Sequence, residues 1–367
     1  TWLTTNDPNT AGTIWIEDAY DSASEGVAGF TLDGSGYTNL DNNALTIQGG
    51  WNGTSGSTAI TGTSSFTGDY LHITNWNADV TLNDIIVDGA ADTGVYVRTT
   101  GTVSLDNIQS NNNLNDGIDV QTPDNIVTND LAASQNGGWG ARVYSNTPNH
   151  SVTMNGTNTF NGNTNGGLGA SSRSDLTLNN ITANDNDGAG LATQTFTPDG
   201  MIHLTGMNVF NNNITGWITT SADATFVESI TANDNDQRGI YFFSWYDGNL
   251  NISNATMNGN GLHGLEAYSR GNIMLSDVTA DGNGQHGVFL PDAFGNPTVS
   301  VTLTGTNSFS NNGYDGFRAI TVSEAITLNN VTASNNGNHG VFLNNTASTT
   351  DTGITISGTN VFNGNIT

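Results

Sequence analysis

Residues 326–343 read ITLNNVTASNNGNHGVFL, and this phrase decides the fold. It holds three short runs, Ile326-Thr327-Leu328, Val331-Thr332-Ala333 and Val341-Phe342-Leu343. Side chains alternate along an extended strand. Ile326, Leu328, Val331, Ala333, Val341 and Leu343 therefore point to one side, and Thr327, Thr332 and Phe342 to the other. The corner before the third run, Asn335-Asn336-Gly337, uses residues that tolerate left-handed backbone angles. One such unit cannot bury its apolar side alone; it must stack on copies of itself.

Copies are present. VTLNDIIVDGAADTGVYV (80–97), LTLNNITANDNDGAGLA (176–192) and IMLSDVTADGNGQHGVFL (273–290) repeat the pattern. From Val80 onward the spacing is roughly 22–28 residues, the period of a solenoid. Coils start near Val80, Val103, Ile126, Val152, Leu176, Ile202, Ala224, Leu250, Ile273, Val301, Ile326 and Ile354. The expected fold is all-β: a parallel β-solenoid with three strands per coil and about 12 regular coils. Stacked at about 4.8 Å per coil, these would make a rod of roughly 55–60 Å. Some coils carry a G-x-N-x-F phrase instead (Gly156 to Phe160, Gly206 to Phe210, Gly305 to Phe309, Gly358 to Phe362), whose Phe is expected to fill the interior.

Residues 1–79 are less regular and are read as irregular N-terminal coils, with 80–367 as the regular ones. Strand-like pieces there are Thr13 to Ile16, Phe30 to Leu32 and Ala44 to Ile47, with no amphipathic capping helix before them. Asn360 to Thr367 stops in mid-coil. An open solenoid end exposes strand edges and apolar core. The expectation is continuation into a longer chain or end-to-end self-association.

The formal net charge is −27, from 33 Asp+Glu against six basic residues, all Arg. Phosphate recognition needs clustered Lys and Arg, so nucleic acid and anionic membrane are excluded as partners. A polyanionic substrate would need a bridging cation. No run of 18 apolar residues is present, so no membrane insertion is expected. Cysteine is absent, and stacking takes the place of disulfides. This acidic, Asn/Thr-rich, Lys-free composition suggests an extracellular, cell-surface location.

The phrase N-x-x-x-[HDG]-G-[IVL]-x-[VLF] appears at Asn115 to Val120, His263-Gly264-Leu265, His286 to Leu290 and His339 to Leu343. It resembles the right-handed parallel β-helix repeat of the pectate-lyase-like superfamily, along nearly the whole chain. The resemblance implies a right-handed single-stranded β-helix. The superfamily spans lyases, hydrolases, epimerases, tailspikes and adhesins, so it implies no one activity.

Asn115-Asp116-Gly117-Ile118-Asp119 looks like the N-x-D-G-x-D signature of polygalacturonases, which makes Asp116 and Asp119 a candidate acid pair. The rest of that family's set is missing: the next coil, Gly138 to Arg142, has no acid pair, and Arg-x-Lys cannot occur without Lys. A corner Asp plus an outward strand Asp is the plainer reading. His263, His286 and His339 share one position before the third run, and the first two could stand about 5 Å apart. Arg238, Asp315 and Trp139 occupy the same position elsewhere, so the column is expected to be solvated surface.

Outward positions of the third run give the best candidate surface. Tyr241, Glu266, Phe289 and Arg318 lie on it, and the following loops add Trp245, Tyr246, Tyr268, Arg270, Asp292 and Phe294. Aromatic faces flanked by acids and Arg suit a sugar: rings stack, and hydroxyls take hydrogen bonds. These residues are the carbohydrate-binding candidates. The Thr row of the first run (Thr81, Thr153, Thr177, Thr302, Thr327, Thr355) is broken by His203, Asn251 and Met274, which argues against an ice-binding array. No motif calls for a cofactor or a metal site. Weak Ca²⁺ binding at the Asn184-Asp185-Asn186-Asp187 and Asn233 to Asp236 corners is the one candidate. Sequons at Asn52, Asn155, Asn180, Asn213 and Asn330 offer glycan acceptors.

Two functions are expected, the first as the leading reading and the second as its alternative. One is a structural or adhesive module of a surface protein that assembles end to end into a filament. The other is a carbohydrate-binding or carbohydrate-cleaving domain, of lyase or hydrolase type, acting on a polysaccharide.

Overall fold

The structure, a computed structural model, describes residues 2–24, 29–197, 199–221, 223–244, 246–291, 298–320, 322–345 and 353–366. The chain divides into two compact units, Thr1–Arg173 and Ser174–Thr367, and each is a parallel β-solenoid.

In the first unit, Gly12–Glu17 pairs with Leu45–Trp51, followed by Val80–Asp88, Val103–Asn111, Ile126–Ala132 and Val152–Asn155. Its third-face strands are Phe30–Asp33, Leu71–Trp76, Val95–Thr99, Ile118–Thr122, Trp139–Ser145 and Gly166–Ser172. A five-residue helix, Trp2–Asn6, precedes them, which the sequence reading missed. Asp7 ends it, and its carboxylate accepts the backbone N–H groups of Thr38 and Leu40, each at 2.9 Å.

In the second unit the first face runs through Leu176–Asn179, Ile202–Thr205, Ala224–Val227, Asn249–Thr256, Ile273–Thr279, Val301–Thr304, Ile326–Asn329 and Ile354–Ser357. The third face runs through Ala189–Thr195, Thr215–Ser221, Arg238–Ser244, Leu265–Tyr268, Val288–Leu290, Phe317–Ala319 and Val341–Leu343. Coil starts match the sequence reading, except that the one placed at Leu250 begins at Asn249.

Each coil has its three runs, but the first two often form one bent strand. Val80–Asp88 bends at Asp84 (φ 54°), Asn249–Thr256 at Asn254 (φ 52°) and Ile273–Thr279 at Asp277 (φ 56°). Asn and Asp reach the left-handed region at low cost, so one residue makes the corner. Gly206 takes the same place with φ 69°, and a Cβ there would lie 2.2 Å from Asn180 Oδ1.

Stacking keeps like residues in register: Val80 on Val103, Leu82 on Leu105, Ile85 on Ile108. All six are buried, each contributing roughly 1.5–3 kcal/mol relative to exposure. Phe160, Phe210 and Phe309 are fully buried, as the G-x-N-x-F phrase suggested, while Phe362 is 41% exposed. The second corner carries an asparagine ladder. In the second unit the backbone N–H groups of Asn186, Asn213, Asn235, Asn260, Asn283, Asn312 and Asn336 each donate to the next ladder Asn Oδ1 at 2.9–3.0 Å. Asn213 is 1% exposed within this ladder, so that sequon cannot accept a glycan.

Candidate functional site

The phrase [HD]-G-[VLF] builds the site. The third-face strand must enter close under the next turn. A Cβ on Gly264, Gly287 or Gly316 would stand 2.6 Å from the carbonyl oxygen of the following turn's glycine. Glycine is therefore required there. The residue before it falls at the strand's entrance, and the residue two after it faces outward.

Two columns result in the second unit. The outward one is a hydrogen-bonded register of Ile218, Tyr241, Glu266, Phe289, Arg318 and Phe342. The entrance column is Arg238, His263, His286, Asp315 and His339. At about 4.8 Å per turn, the aromatic members Tyr241, Phe289 and Phe342 recur every about 9.6 Å, with Glu266 and Arg318 between them.

The columns interlock. Arg238 Nε donates to Glu266 Oε2, and Tyr268 Oη donates to Glu266 Oε1 at 3.0 Å. Glu266 faces outward as expected, yet it is only 4% exposed under these partners. Arg238 also lies over the Tyr241 ring, 4.9 Å from its centroid. Arg318 donates to Asp315 Oδ2 at 2.8 Å and covers the Phe342 ring at 4.3 Å. Asp315 is fully buried and also accepts from the His339 backbone N–H (2.9 Å), from Asn338 Nδ2 (2.8 Å) and from His339 Nδ1 at 2.8 Å, which makes it a positioning group.

His263 and His286 are not solvated surface, whereas the His339 side chain is 37% exposed. His263 is 5% exposed and stacks on His286, centroids 5.2 Å apart. Phe289 packs against both rings, at 5.2 and 5.0 Å. The outward aromatic column covers the imidazoles, an effect that strand alternation alone does not reveal. Burial pushes His263 down to about 4, with Glu266 opposing and His286 assisting. Burial also lowers His286. For Asp315 burial acts upward, but the Arg318 and His339 hydrogen bonds outweigh it and hold the carboxyl below its ordinary value. Burial and then the Glu266 carboxylate raise Tyr268 to about 12, so its hydroxyl stays a donor.

The structure thus brings together Tyr241, Glu266, Tyr268, Phe289 and Arg318 of the sequence candidates. Tyr246 is 48% exposed, and Arg270 Nε lies 3.8 Å from Asp247. Trp245, Asp292 and Phe294 lie outside the described residues. Arg238, Asp315 and Phe342 join the site although they were not among those candidates. The signal was an i, i+3 pattern: a charge or imidazole before the glycine, then an aromatic or opposite charge three residues on.

In the first unit Asp116 and Asp119 come together, but on a cation. Arg142 Nη2 contacts Asp116 Oδ2 and, at 2.8 Å, Asp119 Oδ2; Arg98 holds Asp119 at 3.0 Å from the other side. Two oxygens on one nitrogen are closer than the roughly 6.5–9.5 Å of an inverting pair. Arg98 also covers the Tyr96 ring at 4.2 Å. Among the described residues no group of three or more His, Asp or Glu could hold a metal ion.

Residues 70–230 match the family model described as right handed beta helix region. The chain is a right-handed β-helix. No curated protein matches it. Two solved structures are similar to this β-helix. The periplasmic alginate epimerase AlgG has TM-score 0.48 and 13% identity, over 95% of this chain and 85% of that one. The Azotobacter vinelandii mannuronan C-5 epimerase AlgE4 A-module has TM-score 0.42 and 14% identity, over 96% and 87%. At such identities the likeness says nothing of the site residues of this β-helix.

Proposed function

We propose that the third face of the second unit is a glycan-binding surface, on a β-helix that works outside the cell. The observation that supports it is the recurring set of arginine, carboxylate and aromatic ring. It occurs as Arg238, Glu266 and Tyr241, and again as Arg318, Asp315 and Phe342. Phe289 lies between the two sets in the outward register. Rings give a sugar an apolar floor, and the fixed guanidinium and phenol groups direct hydrogen bonds at its hydroxyls. The spacing along the column suits a polymer that meets several turns at once.

Binding is favoured over cleavage. Glu266 and Asp315 are both buried and both occupied by donors, so neither is poised as a free acid or base. An adhesive module would use this same face, whereas filament assembly would not need it.

The test is affinity electrophoresis of the full chain through gels loaded with a panel of polysaccharides. Retardation by at least one is expected, and Phe289→Ala should weaken it about tenfold, the usual loss for a central aromatic anchor. A chain that migrates freely through every gel would sink the reading.

A further inference from the structure

We infer that the ligand of this face is a neutral glycan and not a uronate polymer. The inference rests on the glycan-binding reading above and names its substrate class.

Every Arg of the chain lies on a third-face strand or within two residues after one: Arg98, Arg142 and Arg173 in the first unit, Arg238, Arg270 and Arg318 in the second. Such a concentration would suit an acidic sugar if the cations were available to it. In the second unit they are committed. Arg238 is bound to Glu266 and Arg318 to Asp315, and those carboxylate side chains are 5% and 0% exposed. A uronate reaching either guanidinium would meet a cation whose charge is already matched by a buried carboxylate, so its own charge would be left uncompensated. Arg270 faces Asp247, which is 85% exposed. The second-unit face therefore has no net positive charge, and the chain around it carries −27. A polyanion would be repelled on approach rather than steered in.

What the face does present is apolar and neutral. Tyr241, Phe289 and Phe342 are half-buried, with a guanidinium over one face of Tyr241 and of Phe342, while Tyr314 is 53% exposed and Tyr246 48%. Tyr268 is raised to about 12 and Tyr241 is raised too, so both phenols stay uncharged. The C–H faces of neutral pyranoses stack on such rings, and committed guanidinium groups still have N–H bonds directed at hydroxyl oxygens.

The experiment uses the full chain and two gel-immobilised panels, neutral polymers (galactan, mannan, glucan, xylan) and uronates (polygalacturonate, alginate), at about 20 and about 200 mM salt. At least one neutral polymer should retard the chain, with less than about a twofold change between the two salts. Uronates should not. Glu266→Gln, checked for an unchanged circular dichroism spectrum, removes the charge that occupies Arg238 and should admit uronates in a salt-dependent way. Retardation by uronates as strong as or stronger than by neutral polymers overturns the inference and leaves the glycan-binding reading standing. Retardation by nothing overturns both. If Glu266→Gln does not fold, the wild-type comparison decides alone.

Discussion

His263 and His286 stand on successive turns with their rings stacked, centroids 5.2 Å apart and planes 16° from parallel. The His286 backbone N–H donates to His263 Nδ1 at 3.3 Å, so a neutral His263 keeps its proton on Nε2. Phe289 packs on the His263 ring at 5.2 Å, and the charges of Glu266 and Arg238 act on it in opposite directions. Its folded value near 4 lies below the ordinary 6.5. The unfolded chain therefore binds the proton first as pH falls, and stability drains between about pH 6.5 and pH 4. Allowing for solvent at the ring edge, the loss is about 2 kcal/mol. His263→Phe keeps a ring in the stack and should flatten the fall in Tm from pH 7 to pH 4. Parallel Tm curves for the two proteins would refute this.

The asparagine ladder should be a main source of stability. Asn260 Oδ1 accepts from the Asn235 backbone N–H and from Asn235 Nδ2, while Asn260 itself donates twice to Asn283. Asn260→Ala leaves buried donors on Asn235 without an acceptor. Each costs about 1–3 kcal/mol, so a loss of about 3 kcal/mol is expected in urea unfolding. Asn258→Ala, on a half-buried side chain in the same corner, should cost less. Equal losses would mean the ladder has no special part.

Phe210→Ala tests the interior filler. The ring is fully buried, and removing it should cost about 3–5 kcal/mol. Phe226→Ala removes an equal ring that is 38% exposed on the first face and stacks on His203. Its cost should stay below about 1.5 kcal/mol, the upper worth of a ring pair. Comparable destabilisation of both variants would contradict the assignment of Phe210 to the core.

The fold was legible because a solenoid writes its contacts into its period. Ile326 stacks on Ile354 because both begin the same run, and no long-range knowledge is needed to pair them. The outward register from Tyr241 to Phe342 follows for the same reason. The state of those side chains does not. Glu266 reads as an exposed strand acid until Arg238, 28 residues earlier, folds across it. His263 reads as a surface imidazole until Phe289 covers it. Period fixes which residues are neighbours; partner geometry across turns fixes burial and charge. Trp2–Asn6 escaped because five residues are too few to show a helical period.

Asp315 should control a second, lower pH window. Its carboxyl is held below 3.8 by donors from Arg318 and His339. A depressed carboxyl stabilises above its unfolded value, near 3.9, and that stability is lost as pH falls through the folded one. His263 acts above pH 4 and Asp315 below it, so the difference between each variant and the wild-type chain in one acid titration separates them. Asp315→Ala leaves the guanidinium and both His339 donors unmatched at a fully buried position. Breaking a buried pair costs about 3–5 kcal/mol, and Arg318, itself about a quarter exposed, places the expected loss at the lower end. Asp315→Asn keeps the shape without the charge. It should lose less at pH 7 and should fall less steeply below pH 4 than the wild-type chain, the remaining fall coming from other depressed carboxyls such as Asp92 and Asp124. A wild-type stability that is flat from pH 4 to pH 2.5, while His263→Phe behaves as expected above it, would show that Asp315 is not the group that titrates there.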